Sequence, residues 1–296
     1  MLSILVPIYN YNAFPLVLEL HRQCTDCGID FEILCQDDRS NEFLTKNQNI
    51  NSLENCKFSS NNSNIGRGKN INLLAKKSSF NWLLILDCDT FPKSKKFIKN
   101  YLDIIKNNDS AVVFGGIIYE TKKPQKEKLL RWVYGNKREA LSVEQRNKKP
   151  NSRALTSNLL IKKEIFIQNP FDSAIIKYGY EDLCFLTVLG AKKNKVSHID
   201  NPTFHLNLET SLFFLNKTKI AQENLAFILD SEISPSIESK IISAYKLLKR
   251  LRLVKMMAII FKKSEDKITS NLLSETPSIL LFDIYKLGYF CSIKSK

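Results

Sequence analysis

The 296-residue chain contains no uncharged apolar stretch of about 18 residues, the length that a helix needs to cross a bilayer. Its first residues show neither a basic segment nor a small-residue cleavage site, so the sequence predicts no signal peptide. Both absences favour a cytoplasmic protein over a secreted or membrane-spanning one.

Cysteine and glycine are arranged in ways that exclude several kinds of site. Cys24 and Cys27 have the spacing of half a zinc site, but no second pair of cysteines or histidines lies near them, so structural zinc is not expected. The seven cysteines are an odd number in a chain too long to need disulfides, which favours reduced thiols. Residues 2–20 contain no glycine and the chain has no P-loop pattern, which argues against a sugar nucleotidyltransferase and a nucleoside triphosphatase.

Acidic residues are outnumbered, since 44 Lys and Arg oppose 30 Asp and Glu and give a net charge of +14. This excess favours anionic partners such as nucleotides, phosphates, anionic lipids or nucleic acids. No aromatic-rich RNA-binding signature is present, so nucleic acid is not a predicted partner. Residues 122–149, with ten Lys or Arg and three Glu, are interpreted either as a basic segment over an active site or as a solvated surface.

The segment 82–90 is the most informative part of the chain. Five apolar residues, typical of a buried strand, run directly into Asp87-Cys88-Asp89. Two carboxylates one residue apart after a buried strand can bind one hard cation, and open α/β sheets bind ligands just beyond the carboxyl ends of their strands. An isolated Asp-x-Asp can equally be an ordinary strand exit, so the interpretation depends on other motifs.

Strand and helix patterns alternate along the first two-thirds of the chain, which predicts an α/β fold with a doubly wound, mostly parallel sheet. Strands are expected over 2–8 (broken by Pro7), 31–35, 82–86, 111–119, 155–161 and 196–205, and helices over 13–23, 66–77, 97–106 and 181–189. Residues 41–64 contain eight Asn and are expected to form turns. The pattern becomes helical from Glu209, with Pro235 separating two helices. The sequence therefore predicts a catalytic domain over 1–208 and a helical C-terminal region over 209–296.

Four motifs in a fixed order resemble the family 2 glycosyltransferases of the GT-A fold over residues 2–208. They are Val6–Asn10, Asp37–Ser40, Asn64–Asn70 leading to Asp87-Cys88-Asp89, and Phe171-Asp172 with Tyr178–Asp182 and Pro202–His205. Each motif is weak alone, but their ordered spacing is specific. The resemblance implies a nucleotide-sugar half over about 1–120 and an acceptor half over about 121–208.

The resemblance also implies a site for the nucleotide of the donor. Tyr9, after Pro7, would offer its ring face to the base, and Asp38 would accept a base N–H, which favours uracil or guanine over adenine. Arg67 or Lys69, beside two glycines, would neutralise the diphosphate. The ordinary alternatives are core packing for Tyr9 and a turn or cap for Asp38.

The metal and catalytic residues follow from the same resemblance. Asp89 would bridge Mn²⁺ or Mg²⁺ to the diphosphate, Asp87 would contact ribose or a metal-bound water, and His205 would be a nitrogen ligand. Asp182 would be the general base that takes the proton of the acceptor hydroxyl, and Glu181 would bind the acceptor. The alternatives are a structural histidine and ordinary capping of a helix by Glu181 and Asp182.

The sequence departs from the family pattern at several positions. Arg39 stands where a glycine is usual, Tyr180 stands where a small residue is usual, and an arginine often found after the Glu-Asp pair is absent. Arg131-Trp132 resembles the end of the Gln-x-x-Arg-Trp motif of processive synthases, but position 128 is Lys and the pair precedes Glu181. Transfer of one sugar per acceptor is therefore expected.

The predicted activity is that of a metal-dependent, inverting glycosyltransferase of the hexosyltransferase type. It would move one sugar from a UDP or GDP sugar to a hydroxyl of a glycan or lipid-linked acceptor in bacterial cell-surface polysaccharide biosynthesis. The alternative is a catalytically inactive relative that binds nucleotides or anions. The presence of Asp87, Asp89 and Asp182 argues against that alternative.

The C-terminal segment Lys240–Leu251 fits an amphipathic helix. Its apolar side carries Ile241, Ala244, Leu248 and Leu251, and its basic side carries Lys246, Lys249 and Arg250. Such a helix can lie on an anionic membrane surface, which would place the protein at the inner face of the plasma membrane. It can equally pack its apolar stripe on the catalytic domain.

Overall fold

A seven-stranded and a three-stranded sheet organise this computed structural model, which describes residues 1–107, 110–231, 233, 237 and 239–295. The strands are β1 (Leu2–Ile8), β2 (Phe31–Asp37), β3 (Cys56–Ser60), β4 (Trp82–Leu86), β5 (Thr90–Pro92), β6 (Val112–Phe114), β7 (Ile117–Ile118), β8 (Asn158–Lys162), β9 (Ser197–His198) and β10 (Thr203–His205). The helices are α1 (Phe14–Asp26), α2 (Leu44–Gln48), α3 (Arg67–Lys77), α4 (Phe97–Asn107), α5 (Leu129–Tyr134), α6 (Val143–Asn147), α7 (Lys163–Gln168), α8 (Glu181–Ala191), α9 (Ser211–Asp230), α10 (Lys240–Arg250), α11 (Val254–Leu272) and α12 (Ile279–Lys294).

The large sheet has the strand order β3-β2-β1-β4-β8-β6-β9. Its first four strands are parallel, with Leu2 opposite both Phe31 and Trp82. β8 runs antiparallel to β4 and β6. The predicted doubly wound, mostly parallel sheet is therefore confirmed.

Helices cover both faces of the large sheet, which explains why β4 is apolar throughout and why every residue of β1 except Ser3 is apolar. Successive side chains of a strand point to opposite faces. One face buries Leu2, Ile4, Val6 and Ile8 against Leu16, Leu20, Phe97 and Tyr101 of α1 and α4. The other face buries Leu5, Leu83 and Ile85 with Ile71, Leu74, Phe185 and Leu186 of α3 and α8. Each fully buried Leu, Ile or Phe contributes roughly 1.5–3 kcal/mol.

The small sheet has the strand order β5-β10-β7. β10 is antiparallel to β5, so that His205 lies opposite Thr90, and parallel to β7. Because Asp89 immediately precedes β5, this pairing brings the end of β10 back to the end of β4.

The expected break of the first strand at Pro7 is wrong. β1 continues to Ile8, and Pro7 pairs in register with Gln36 of β2. The Ile8 carbonyl accepts from Asp38 N–H at 2.8 Å, so Pro7 faces the opposite side, towards β4. The ladder with β4 already ends at Leu5 and Ile85, so the missing N–H of proline interrupts no hydrogen bond there.

Two further segments differ from the prediction. Residues 41–64 are not only turns, because they include α2 and β3. β3 is an edge strand without a fully buried residue, which explains its weak sequence pattern. The strand expected over 111–119 is divided into β6 and β7 in different sheets. Gly116, with φ +101°, turns the chain between them.

The chain divides into two compact units. One contains Met1–Glu120, Glu139–Ile176 and Glu181–Asn207, and the other contains Thr121–Arg138, Lys177–Tyr180 and Leu208–Lys296. The second unit has its own apolar core, which includes Leu130, Phe214, Phe261, Leu272, Phe282 and Tyr285. The functional division at residue 208, and that between donor and acceptor halves near residue 120, stay predictions.

The predicted helical C-terminal region is confirmed by α9 to α12. Pro235, expected to separate two of these helices, lies outside the described residues. None of the helices in the described part of the chain is long and apolar enough to cross a membrane.

Candidate active site

The carboxyl ends of β1, β2 and β4 lie at one edge of the large sheet, because these strands are parallel neighbours. Tyr9 follows β1, Asp38 follows β2 and Asp87 follows β4. Three of the four sequence motifs therefore converge where α/β sheets bind their ligands.

Asp38 is buried and organises the segment that leads into α3. Its carboxylate accepts hydrogen bonds from the backbone N–H groups of Ile65 and Gly66 and from the Asn61 side chain, each at 2.9 Å. Gly66 fits this turn because its φ is +86° and because a Cβ there would lie 2.9 Å from the Ile176 carbonyl oxygen. Since a carboxylate has about four acceptor positions, Asp38 retains room for one further N–H.

The remaining residues expected to bind the donor nucleotide are placed in different ways. The Tyr9 side chain is 53% exposed, so its ring is open to a ligand and is not part of the core. Pro7 is buried within β1. Lys69 lies two positions beyond Arg67 on α3, and residues two apart on a helix do not share a face. The structure therefore directs Arg67, and not Lys69, towards the carboxylates of Asp87 and Asp182.

Arg67 lies at the centre of a polar group that we call the Arg67 cluster: Arg67, Asp87, Thr156, Glu181 and Asp182. Nε and Nη2 of Arg67 donate to Asp87 Oδ1 at 3.0 and 2.5 Å. Nη1 donates to Asp182 Oδ1 at 2.7 Å and to Thr156 Oγ1 at 2.9 Å, and it lies 3.9 Å from Glu181 Oε1. One guanidinium thus joins the carboxylate after β4 to the Glu-Asp pair that begins α8.

Thr156 is a member of this cluster that the sequence did not reveal. Its backbone N–H donates to Asp182 Oδ2 at 3.1 Å, and its hydroxyl donates to Asp182 Oδ1 at 2.5 Å. The antiparallel pairing of β8 with β4 places Asn158 opposite Leu86, which carries Thr156 to the same edge as Asp87. A threonine before a strand has no sequence signal of its own. The Asp182 carboxylate is thus held by Thr156 and Arg67.

The environment of the cluster changes the acidity of its members. Burial, reinforced by the Asp182 charge and opposed by Arg67, raises the pKa of Glu181 to about 7. Burial also raises the pKa of Asp87, against the effect of Arg67 and together with the charges of Asp89 and Asp182. Burial alone would lower the pKa of Arg67, but the nearby carboxylates raise it above its ordinary value. Glu181 therefore changes its charge near neutral pH, whereas Arg67 stays protonated.

The raised pKa of Glu181 predicts a pH-dependent effect of Glu181→Gln. The folded protein binds the Glu181 proton more tightly than the unfolded chain does, so wild-type stability falls as pH rises from about 4.3 to 7. Glutamine carries no proton to lose. We expect the free energy of unfolding of the variant, relative to wild type, to improve by about 2 kcal/mol between pH 5 and pH 8.

Urea unfolding at both pH values measures this difference. Glu164→Gln, at an exposed position on α7, is the matched control and should show no such trend. A variant whose relative stability is the same at pH 5 and pH 8 contradicts the raised pKa of Glu181.

Asp89 and His205 form a second polar group at the small sheet. Asp89 Oδ2 lies 3.5 Å from His205 Nε2, and the Asp89 carbonyl accepts from Leu206 N–H at 2.8 Å. The Tyr119 ring lies 5.4 Å from the His205 ring. Burial, reinforced by the Asp89 charge, raises the pKa of Tyr11, which identifies Tyr11 as another neighbour of Asp89.

A carboxylate oxygen and an imidazole nitrogen that face each other suit two ligands of one divalent ion. Asp87 Oδ1, by contrast, accepts two hydrogen bonds from Arg67. Among the described residues, no three His, Cys, Asp or Glu side chains are grouped as a metal site. In the part of the chain that the structure describes, Asp89 and His205 are therefore a facing pair and not a complete metal site.

Two of the departures from the family pattern occupy unusual backbone. Arg39 has φ 65° and Tyr180 has φ 68°, in the left-handed region that non-glycine residues adopt at a cost of roughly 1–2 kcal/mol. The usual glycine at position 39 thus has a conformational reason. Such strain persists where the surrounding structure holds it, and both residues adjoin the carboxylates of the site.

Arg39→Gly should stabilise the protein. The Arg39 side chain is exposed, so its removal costs little stability, and glycine relieves the backbone strain. We expect the free energy of unfolding to rise by about 1 kcal/mol, after the greater freedom of glycine in the unfolded chain is subtracted. Urea unfolding measures it. Arg39→Ala removes the same side chain without relieving the strain, so an equal gain in that control would contradict the explanation.

Comparison with known proteins identifies the family. Residues 3–169 match the family described as Glycosyl transferase family 2, which is more than half of the 296 residues. The chain belongs to this family. No curated protein matches the glycosyltransferase.

Solved structures share its fold. The mannosyltransferase PcManGT from Pyrobaculum calidifontis, in complex with GDP-Man and Mn²⁺, superposes with a TM-score of 0.59 at 12% identity over 99% of this chain and 86% of its own. Glucosyl-3-phosphoglycerate synthase from Mycobacterium tuberculosis, in complex with Mn²⁺, UDP and glucosyl-3-phosphoglycerate, gives 0.53 at 15% identity over 81% of each chain. S. aureus TarS gives 0.53 at 18% identity over 77% of this chain. The predicted GT-A fold is confirmed.

The lengths of the compared proteins differ. The part of this glycosyltransferase that superposes on TarS covers 39% of the TarS chain. At identities this low the likeness establishes the fold alone.

Proposed function

We propose that this glycosyltransferase moves a single sugar from a UDP or GDP sugar to a hydroxyl of a glycan or lipid-linked acceptor, with inversion at the anomeric carbon. The observation that carries the proposal is the Arg67 cluster, which holds the carboxylates of Asp87, Glu181 and Asp182 around one cation at the ligand-binding edge of the sheet. The activity is that of a non-processive hexosyltransferase. Its place is bacterial cell-surface polysaccharide biosynthesis.

Asp38 and Tyr9 would bind the base of the donor. The last acceptor position of Asp38 would take one N–H, which uracil and guanine each present and adenine lacks at the equivalent ring nitrogen. The exposed Tyr9 ring would stack on the base, and the buried Pro7 would fix the strand end that presents it. Arg67 or Lys69 would neutralise the diphosphate, with Arg67 favoured because it already points into the site.

Asp89 and His205 would hold Mn²⁺ or Mg²⁺, with Asp87 nearby to contact the ribose or a metal-bound water. The bound ion would supply counter-charge to the departing diphosphate. Two facing ligands 3.5 Å apart support this assignment. The neighbouring structures of PcManGT and glucosyl-3-phosphoglycerate synthase contain Mn²⁺, which supports Mn²⁺ in particular.

Asp182 would act as the general base and Glu181 would bind the acceptor. Thr156 fixes the Asp182 carboxylate through both of its oxygens, so the base has one orientation. Glu181 Oε2 is buried and, within the described residues, accepts no hydrogen bond, so an acceptor hydroxyl would satisfy it. The attacking oxygen would give its proton to Asp182 as its bond to the anomeric carbon forms and the bond to the diphosphate breaks.

A catalytically inactive relative that only binds nucleotides or anions is the alternative. A protein that only binds nucleotides does not need Thr156 to hold both oxygens of Asp182. Nor does it need the buried Glu181 Oε2, which accepts no hydrogen bond from a described residue. These two features favour the enzyme.

The proposal is tested by thermal unfolding of the protein with UDP, GDP, ADP or RNA, each with Mn²⁺ or with EDTA, followed by turnover with a panel of nucleotide sugars. We expect UDP or GDP with Mn²⁺ to raise Tm, and ADP, RNA and EDTA samples to match the free protein. The stabilising nucleotide then identifies the donor class for the turnover assay. Equal stabilisation by ADP, or none by any nucleotide, contradicts the donor assignment, and nucleotide binding without turnover of any sugar favours the inactive relative.

A further inference from the structure

The surface of α10 and α11 carries a concentration of exposed apolar side chains. Five of the 19 large apolar residues that are exposed in the described part of the chain lie between positions 247 and 260. They are Leu247, Leu251, Met256, Ile259 and Ile260, each at least half exposed. Single exposed apolar residues are ordinary, but a group of them marks an interaction surface. We call these five residues the apolar row.

The apolar row is separate from the residues that hold these helices in the fold. On α11, Met256, Ile259 and Ile260 share one face at intervals of three and four residues, whereas Phe261, Ile268 and Leu272 are buried on the opposite face. The Phe261 ring packs edge-to-face on Tyr285 of α12 at 5.4 Å between ring centres. On α10, Ile242 is buried and Leu247 is exposed. The side chains of the apolar row are therefore not used in these core contacts and stay at least half exposed.

The segment that carries the apolar row is also rich in exposed positive charge. Lys246, Lys249, Arg250, Arg252, Lys255, Lys262 and Lys263 are all exposed. No Asp or Glu occurs between positions 239 and 264, and none of these seven cations forms a salt bridge with a described residue. Half-exposed apolar side chains in the same segment as cations that pair with no described carboxylate fit a partner that combines an apolar layer with an anionic surface.

We propose that the apolar row and its seven cations bind the surface of an anionic lipid bilayer. The apolar side chains would enter the boundary between headgroups and acyl chains while the lysines and arginines bind the lipid phosphates. Of the apolar side expected on Lys240–Leu251, Ile241, Ala244 and Leu248 are half-buried and Leu251 is exposed. The proposed surface therefore uses Leu247 and Leu251 together with three residues of α11.

Two other occupants fit the surface less well. A second copy of the chain in a two-fold contact would bring the same cations against each other. Single-stranded nucleic acid would require aromatic rings for stacking, and every exposed apolar residue between 246 and 263 is aliphatic. An anionic bilayer matches both the charge and the aliphatic character.

Co-sedimentation of the full chain with vesicles tests the proposal without nucleotide or metal, so its outcome is independent of the proposed transferase activity. Vesicles of phosphatidylcholine are compared with vesicles that also contain phosphatidylglycerol. We expect binding only to the anionic vesicles and weaker binding as salt is raised. Changing Lys246, Lys249, Arg250 and Arg252 to Glu should lower the partition coefficient ~100-fold or more.

A second variant changes Leu251, Met256, Ile259 and Ile260 to Ser and keeps every charge, and it should also lose binding. The matched control changes Lys93, Lys95, Lys96 and Lys99 to Glu, which alters net charge equally at exposed positions, and it should bind like wild type. Circular dichroism and Tm establish that each variant is folded. Equal partitioning of wild type and both variants overturns the proposal. Two other results also overturn it: a dimer of the wild type that the serine variant abolishes, and binding of RNA by the wild type that the serine variant retains.

Discussion

Replacing Asp182 with Asn lowers kcat by about 10²–10⁴-fold, the usual effect of removing a general base, and does not weaken donor binding. The amide keeps the shape of the carboxylate but cannot take the proton of the acceptor hydroxyl. Initial rates at saturating donor measure kcat, and calorimetric titration with the stabilising nucleotide measures affinity. Thr156→Val should lower kcat less, because it removes one of the hydrogen bonds that hold the base and leaves the base itself in place.

The opposite result would reassign Asp182. If donor affinity collapses in Asp182→Asn while bound substrate still turns over, the carboxylate belongs to the donor site through its contact with Arg67. Asp266→Asn, at an exposed acidic position on α11, is the control for a charge change of the same size. It should leave both quantities unchanged.

Replacing Asp89 with Ala should abolish sugar transfer, with a loss of at least about 10³-fold in kcat/KM, since counter-charge at a leaving diphosphate is worth several kcal/mol. Release of the nucleoside diphosphate from the donor measures the rate at several Mn²⁺ concentrations. His205→Ala should instead raise the Mn²⁺ concentration needed for half-maximal rate, because it removes one of the two ligands that face each other. Asp103→Ala, an exposed carboxylate on α4, is the matched control. Full turnover of Asp89→Ala in EDTA would show that transfer does not depend on a metal.

The sheet could be predicted because its signals are local. β1, β2 and β4 are short apolar runs, and their polar exits at Tyr9, Asp38 and Asp87 have the order of a parallel α/β domain. β3 could not be predicted, because an edge strand that is only partly buried is fixed by pairing with β2 and not by its own pattern. Pro7 was expected to break β1, but the pairing of β1 with β2 continues past it to Ile8.

The site was predictable in its carboxylates but not in their connections. Asp182 and Asp87 are 95 positions apart, so nothing in the sequence indicates that Arg67 bridges them or that Thr156 holds the base. These contacts depend on the turn at Gly66 and on the antiparallel pairing of β8 with β4. The left-handed backbone of Arg39 and Tyr180 could not be predicted either, because arginine and tyrosine usually avoid that conformation.

In the proposed reaction, a single guanidinium that neutralises the carboxylates of Asp87, Glu181 and Asp182 links the donor and acceptor sites thermodynamically. Arg67 cannot give full hydrogen bonds to a diphosphate and at the same time keep all those it gives to Asp87, Thr156 and Asp182. A donor that draws Arg67 away would therefore leave Asp182 a stronger base just when an acceptor can be used. Linkage is reciprocal, so the acceptor must change donor affinity by the same factor. In the proposed reaction, donor and acceptor therefore change each other's affinity through the hydrogen bonds of one side chain, whichever of them binds first.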